Sequence, residues 1–123
     1  MDPTRDSDQW LEPWAPIDDG DRTLAGELAS EVPPGHQLFG VDVDALAARL
    51  DCDDVLYRLT PSQRLAVVHL TYTRESSPEW PQVELFDSFD DFRSQRMMPD
   101  HHEYWQRDEV SPDWYSRAVR SRP

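Results

Sequence analysis

The sequence predicts a single α+β domain with an N-terminal helix, an antiparallel meander of three to four strands, and C-terminal helices. Three observations support this fold class. Nearly half of the residues from Leu38 to Phe92 are apolar, against fewer than a third elsewhere, which is enough for a core. Short runs of alternating apolar residues lie in this central part, bounded by turn residues, as is typical of strands. Apolar residues at helical spacing lie on both sides of it.

The first 20 residues form a predicted acidic arm that contains three prolines and two tryptophans. Prolines at this density exclude a regular helix or an interior strand. Trp10 and Trp14 either fold back to cover the surface of the domain or belong to a short linear motif that docks a partner. Folding back is favoured, because large aromatic side chains are mostly buried in folded proteins.

A compact domain is predicted over residues 21–107, and it opens with a helix. Asp21 is the predicted N-cap, and the helix runs to about Val32. Leu24 and Leu28 share one stripe with Val32 because they are spaced four residues apart. Pro33-Pro34-Gly35 then ends the helix.

The segment 41–50 fits two structures. As a helix, it would have an apolar face, and it contains a run of strong helix formers, Ala45–Leu50. As a strand, its small apolar residues alternate, with Val43 and Ala45 on one side. The residue pattern leaves both alternatives open.

Two strands follow with less ambiguity. Val55–Leu59 alternates and ends at a turn over residues 60–63. Leu65–Thr73 is the most apolar strand, so it is predicted to lie in the middle of the sheet, with Val68 and Leu70 in the core. Val83 and Leu85 mark a fourth strand.

The C-terminal part carries two helix-start signals. Ser88 and Asp91 resemble a capping box for a helix that buries Phe89 and Phe92, and Pro99 is expected to end this helix by Met98. Ser111-Pro112-Asp113 predicts the start of a second, short helix within a C-terminal segment of residues 108–123.

Several short segments of the chain, spread over residues 28–105, are distinctive. They are Gly35-His36, Leu38, Gly40, Asp51-Cys52-Asp53-Asp54-Val55-Leu56-Tyr57, Ala66-Val67-Val68-His69-Leu70-Thr71, Trp80-Pro81, Ser88-Phe89 and Met98-Pro99-Asp100. Together they resemble a group of small uncharacterised bacterial proteins, and the resemblance implies no activity or cofactor. In that group the segment before the Asp-Cys-Asp-Asp turn looks like a strand entering a hairpin. The resemblance therefore favours a strand over residues 41–50.

Composition excludes several classes of protein. The 25 acidic residues face only 12 basic ones, all arginine, which gives a formal net charge of -13. Nucleic acid is therefore an unfavourable partner, because phosphate binding needs a positive field, whereas a basic protein surface is a favourable one. The absence of lysine and the excess of aspartate are also typical of proteins from salt-accumulating halophiles.

The sequence also bears on location. No apolar run approaches the roughly 18–20 residues that span a bilayer, so no membrane association is predicted. The acidic, proline-rich start does not resemble a signal peptide, and a single cysteine excludes an intramolecular disulfide. The expected location is cytoplasmic.

One group of residues has the chemistry of a metal site. Asp51, Asp53 and Asp54 lie close together in a turn, and His69 is on the neighbouring predicted strand. Carboxylates at this spacing suit a hard cation such as Mg²⁺, although aspartate is also common in turns for purely structural reasons. Cys52, between them, is expected to be a buried structural residue, because the adjacent aspartates oppose the formation of a thiolate.

The leading functional prediction is a non-enzymatic protein-binding module of the inhibitor, regulator or immunity type, without a cofactor. The sequence has no phosphate-binding glycine loop and none of the common catalytic motifs, which argues against an enzyme. Trp10, Trp14 and Trp80 are the candidate partner-binding residues. The alternative is a metal- or small-ligand-binding enzyme that uses the Asp51–Asp54 turn with His69.

Overall fold

A five-stranded antiparallel sheet forms the centre of the structure, a computed structural model that describes residues 9–20 and 22–110, with side chains as far as residue 105. The strands are β1 (Trp14–Pro16), β2 (Val43–Arg49), β3 (Asp54–Leu59), β4 (Leu65–His69) and β5 (Val83–Phe86). They lie in the order β1-β2-β3-β4-β5, so each strand pairs with the next one along the chain. The predicted α+β class and the meander are confirmed, with one strand more than expected.

The additional strand comes from the acidic arm. β1 pairs with β2, with Trp14 opposite Arg49 and Pro16 opposite Ala47. β1 is an edge strand, where a proline is tolerated because one side of the strand needs no ladder hydrogen bonds. The sequence excluded an interior strand here, but the short edge strand was missed.

Helix α1 (Thr23–Glu31) is close to the predicted N-terminal helix. The predicted N-cap, Asp21, lies outside the described residues. The carboxylate of Asp19 accepts the backbone N–H groups of Leu24 and Ala25 at 2.9 and 3.0 Å, and so satisfies two donors of the first turn. Val32 is extended, and the helix ends there, before the two prolines.

The ambiguous segment forms strand β2. It pairs with β1 on one side and β3 on the other, which satisfies its backbone groups, so pairing overrides the helical propensity of its alanines and leucines. The register shifts between Ala45 and Ala47. This irregularity places Leu46 and Ala47 on the same face of the sheet.

Alternation along the strands builds two apolar layers on opposite faces of the sheet. The helix-side core lies under α1 and contains Ala25, Leu28, Val32, Leu38, Val43, Val55, Tyr57, Leu59, Ala66, Val68 and Leu70. The aromatic core, on the other face, contains Trp10, Trp14, Ala47, Leu56, Leu65, Val67, Phe86, Phe89, Phe92 and Met97. The predicted core positions Val68 and Leu70 are buried, as expected.

Strand β4 is shorter than predicted. It ends at His69 instead of Thr73. The next residues turn away because Tyr72 has a left-handed backbone, with a φ of 56°. The backbone N–H groups of Thr71 and Tyr72 bind the carboxylate of Glu31 instead of a neighbouring strand.

The C-terminal helical part consists of α2 (Phe89–Phe92), a π-helical segment (Arg93–Met97) and α3 (Met98–Val110). The capping interaction is confirmed, since the hydroxyl of Ser88 accepts the N–H of Asp91 at 3.1 Å. The prediction that Pro99 ends the helix is wrong. The N–H of Met98 bonds to the carbonyl of Arg93, five residues back, and this wider turn admits a proline that has no N–H to donate.

The short helix that was predicted after Ser111 lies outside the residues that the structure describes. Within residues 9–20 and 22–110, no helix combines the length and the apolar character that crossing a membrane requires.

Candidate functional site

The structure brings two of the four predicted metal ligands together. Asp54 and His69 are opposite one another in the β3–β4 register, and Asp54 Oδ1 lies 2.7 Å from His69 Nδ1. Asp51 instead accepts two hydrogen bonds from Arg49, both at 2.8 Å. The exposed Asp53 contributes its backbone carbonyl to Leu70. Within the described part of the chain, no three potential ligands are grouped to hold a metal ion.

Each carboxylate oxygen of Asp54 has a hydrogen-bond partner. Its Oδ2 accepts a hydrogen bond from Arg96 at 2.9 Å, while Oδ1 faces His69. Burial raises the pKa of Asp54, but the hydrogen bonds from His69 and Arg96 outweigh this and leave the pKa below its usual range. A charged Asp54 accepts the Nδ1 proton of His69, which leaves Nε2 of the neutral ring as a proton acceptor.

Arg96 is the centre of this ionic network. Besides Asp54, it binds Glu84 at 2.8 Å and Asp100 at 3.0 Å. Its guanidinium lies over the ring of Trp14, 5.7 Å from the ring centroid, and the indole N–H of Trp14 donates to Asp100 at 2.9 Å. The network therefore joins β1, β3 and β5 to α3. Most of these charges thus have a structural role.

An open pocket of about 610 Å³ lies beside His69. Its polar lining consists of Gln37, Asp54, His69, Glu79, Gln82, Glu84 and Arg96. The arrangement can accept hydrogen bonds or a proton, and it favours a cationic group over an anionic one. Its lining includes no serine, threonine or cysteine that could act as a nucleophile beside His69.

Cys52 is exposed, so the prediction of a buried cysteine is wrong. It lies in the turn between β2 and β3, outside both cores. Partial burial of the thiol raises the pKa of Cys52, and the charge of Asp54 adds to this, although a backbone hydrogen bond from Asp54 acts in the opposite direction. A thiol with a raised pKa is a poor nucleophile at neutral pH.

The tryptophans of the arm are covered by the protein itself. Trp14 is 1% exposed and packs edge-on against Phe92, with ring centroids 5.1 Å apart. Trp10 packs in the same way against Phe89 at 5.3 Å. This placement matches the interpretation that the arm folds back on the domain. Of the three candidate partner-binding residues, only Trp80 is exposed, at 42%.

Three exposed aromatic side chains, those of Phe39, Tyr72 and Trp80, are referred to together as the aromatic loop surface. They lie on two loops, residues 32–42 and 70–82. The loops are joined where His36 Nε2 donates to the carbonyl of Pro81 at 2.7 Å, while Nδ1 of the same ring accepts the N–H of Leu38.

The two loops also share a groove. Phe39 lines a depression of about 450 Å³ together with Arg74, Glu75 and Ser76 of the second loop. The sequence pattern missed Tyr72 as a surface residue, because it continues the alternation of the predicted Leu65–Thr73 strand. Phe39 carried no periodic signal.

Comparison of the chain with protein-family models, with curated protein sequences and with solved structures gives no match. Function is therefore argued from the residues of the candidate sites.

Proposed function

We propose that this protein is a non-enzymatic binding module that docks a basic partner protein through the aromatic loop surface. One observation carries the proposal: three large aromatic side chains are more than two-fifths exposed on two loops that are hydrogen-bonded to each other. Binding residues are commonly found on loops that a rigid scaffold positions. Aromatic side chains are enriched among the residues that dominate binding energy.

The loops are held in place before any partner arrives. Glu31 of α1 accepts hydrogen bonds from the backbone of Thr71 and Tyr72, and its own carbonyl accepts the N–H of Glu75 at 3.2 Å. His36 anchors the other end of the second loop at Pro81. A surface that is already ordered loses less conformational entropy on binding, which favours affinity.

The charge around the aromatic residues indicates a basic partner. The exposed or half-buried carboxylates near them in the chain are Asp42, Glu75 and Glu79, against one arginine, Arg74. Asp53 is distant in the chain, but, after burial, its charge contributes to the raised pKa of Tyr72. Ion pairs in the described part of the chain join other carboxylates, those of Asp44, Asp51, Asp54, Glu84, Asp87 and Asp100. An acidic surface with a formal net charge of -13 behind it accelerates encounter with a basic partner.

The alternative, an enzyme that acts on a small cationic ligand, is favoured by a different observation. Asp54 orients His69 so that Nε2 is a proton acceptor beside the 610 Å³ pocket. A proton acceptor alone does not define a reaction, and the pocket lining contributes no nucleophile. The binding module is therefore the better-supported proposal.

Site-specific photo-crosslinking tests the binding proposal. A benzophenone amino acid is placed at position 80, and a matched control is placed at position 105, because Trp105 is 45% exposed and lies on α3, away from the two loops. We expect a discrete adduct with a basic protein from position 80 and none from position 105.

The captured protein is then purified, and its affinity is measured by calorimetry. Trp80→Ala should weaken binding by about tenfold or more, the effect of losing one hot-spot residue, whereas Trp105→Ala should leave the affinity unchanged. Equal loss in the two variants, or an adduct with an acidic protein, would overturn the proposal. Adducts from both positions would do the same.

A further inference from the structure

The two edges of the sheet differ in the backbone groups that they leave unpaired. At the β1 edge, the N–H of Ile17 binds β2, and the alternation of a strand then turns the backbone groups of Trp14 and Pro16 outward. The N–H of Trp14 already donates to the carbonyl of Leu11 at 3.0 Å, and Pro16 has no N–H. In the described part of the chain, β1 therefore has no free donor on its outer side, which protects this edge from further pairing.

The β5 edge is open. The N–H of His69 in β4 binds the carbonyl of Gln82, so Gln82 and Glu84 turn their backbone groups toward β4. Val83 and Leu85 consequently direct their N–H and C=O groups away from the sheet. Across residues 9–20 and 22–110, no hydrogen bond reaches these four groups.

The open stretch has defined ends. Before it, Pro81 has no N–H, and its carbonyl accepts the hydrogen bond from His36. After it, Ser88 caps α2, and the chain leaves the strand. A row of unpaired backbone groups is a template for another strand. The stretch Val83–Leu85 therefore has room for a short extended segment that adds to the sheet as a sixth strand.

The side chains on the two faces of β5 define what such a segment carries. Val83 and Leu85 are half-buried and pack against the helix-side core, so the matching face of an added strand is apolar. Glu84 is exposed on the other face, where it lines the pocket of about 610 Å³ together with Glu79. Three carboxylates line this pocket, against one arginine, Arg96. Basic side chains on that face of the segment are complementary to it.

Trp80 lies where this edge begins. Its side chain is 42% exposed, and only Pro81 and Gln82 separate it from the first residue of β5, so a segment that contacts Trp80 continues directly along the strand. A second copy of this chain is a poor occupant. Antiparallel pairing of two β5 strands through the same outward groups places Glu84 opposite Glu84, and like charges in that position are destabilising.

We propose that the open edge of β5 receives an extended segment of the partner protein, in which apolar and basic residues alternate. Its backbone bonds to Val83 and Leu85, its apolar side chains extend the helix-side core, and its basic side chains lie over Glu84 and the pocket. That this segment belongs to the partner of the aromatic loop surface rests on the proposed function. The open edge itself does not.

Amide hydrogen exchange of the isolated protein tests the edge without any partner. We expect the N–H groups of Val83 and Leu85 to exchange about tenfold faster or more than those of Glu84 and Phe86, which bond to β4. Comparable protection of all four amides would overturn the proposal. The cover would then be another segment of this chain, or a second copy if light scattering shows a doubled mass.

A synthetic peptide tests the occupant. The probe is an acetylated and amidated hexapeptide in which arginine alternates with valine. We expect it to bind with a dissociation constant of about 1 mM or below and, at saturation, to raise the protection of the Val83 and Leu85 amides by about tenfold or more. Glu84 and Phe86 should keep the protection that they already have. The same peptide with glutamate in place of arginine should not bind.

Two substitutions at one position separate backbone pairing from side-chain contact. Leu85→Pro removes an outward N–H that the sheet does not use, and an edge strand tolerates proline there. It should weaken binding of the arginine–valine peptide by about tenfold or more. Leu85→Val keeps the N–H and suits a strand, so it should bind within about threefold of the unmodified protein. If Leu85→Pro does not fold, the protection pattern in the unmodified protein decides the question.

Three results would overturn the proposed edge site. They are equal binding by the two variants, binding of the glutamate peptide as tightly as the arginine peptide, and no binding of the arginine peptide at about 5 mM. Crosslinking from position 80 keeps the two proposals distinguishable. Peptide pairing without a basic adduct would leave the edge site standing and overturn the proposed function, whereas a basic adduct without peptide pairing would overturn the edge site alone.

Discussion

The two faces of the sheet are covered in different ways. The helix-side core consists largely of aliphatic side chains from α1 and from the strands themselves. The aromatic core is built from rings that come from distant parts of the chain, Trp10 and Trp14 from the arm, Phe86 from β5, and Phe89 and Phe92 from α2. The aliphatic layer can be predicted from the periodicity of apolar residues in the sequence. The aromatic layer forms only when segments that are far apart in the chain pack together.

The polar groups at the borders of the two cores differ as well. Beside the aromatic core, Arg96 and Arg49 join the carboxylates of Asp54, Glu84 and Asp100 in opposite-charge pairs. Beside the helix-side core, the buried carboxylate of Glu31 instead accepts the backbone N–H groups of Thr71 and Tyr72. The comparison shows that the border of one face consists of ion pairs over long sequence distances, whereas on the other face a single buried carboxylate satisfies backbone N–H groups of a loop.

The largest effect is expected from Trp14→Ala. This change removes a ring that is 1% exposed, its edge-on contact with Phe92 and its hydrogen bond to Asp100. We expect the free energy of unfolding to fall by about 3–5 kcal/mol, the usual range for a buried tryptophan or phenylalanine. Urea unfolding measures it, with Trp105→Ala as the exposed control. A loss below about 1 kcal/mol would show that the arm does not cover the sheet.

Leu70→Ala tests the other face. Leu70 is 1% exposed in the helix-side core, and its removal should lower the free energy of unfolding by about 2–5 kcal/mol. The same urea experiment measures it. If Leu70→Ala lowers the free energy of unfolding more than Trp14→Ala does, the helix-side core contributes more to stability than the aromatic core, contrary to our expectation.

Salt is expected to have the smallest effect, because it acts in two opposing ways. Screening relieves the repulsion that comes from a formal net charge of -13, and it weakens the ion pairs around Arg96. Exposed pairs such as Arg64 with Asp87 contribute only about 0–1 kcal/mol each, and the mostly buried pair of Arg96 with Asp54 is screened less, so relief of repulsion should dominate. We expect the melting temperature to rise by roughly 2–8 °C between 0.1 and 2 M KCl.

Differential scanning calorimetry in KCl and in NaCl checks the salt effect, and both salts should act alike. A rise would agree with the interpretation of the composition as halophile-like. A melting temperature that falls with salt would contradict it. The acidic surface would then be explained better by a cationic partner, whose affinity should drop over the same range of salt.

Local patterns in the sequence predicted the strands well. Alternation placed Val68 and Leu70 in the core, since side chains two residues apart in a strand share a face. The Ser88–Asp91 cap was also predictable, because a side-chain cap acts over three residues. Segment 41–50 was ambiguous because its helical propensity is local, and only pairing with β1 and β3 makes it a strand.

The candidate sites were predicted less completely. Asp54 and His69 were selected from the sequence, and strand register brings them together, but Arg96 was missed because it is 42 residues away from Asp54. Tyr72 was assigned to a strand face, since nothing local indicates that Glu31, 41 residues earlier, would capture its N–H. Glu31 itself follows the polar pattern of a helix end, and its burial is visible only in the folded structure.

The sequence by itself determined the α+β class, the order of the central strands and the excess of negative charge. Each of these depends on residue type or on spacing within a few residues, and such interactions are local. Only the tertiary structure decided that the arm adds a strand, that Trp14 meets Asp100 across 86 residues, and that Glu31 holds the loop of Tyr72. Contacts between remote segments depend on how the chain packs as a whole, because burial and pairing are properties of the assembled core.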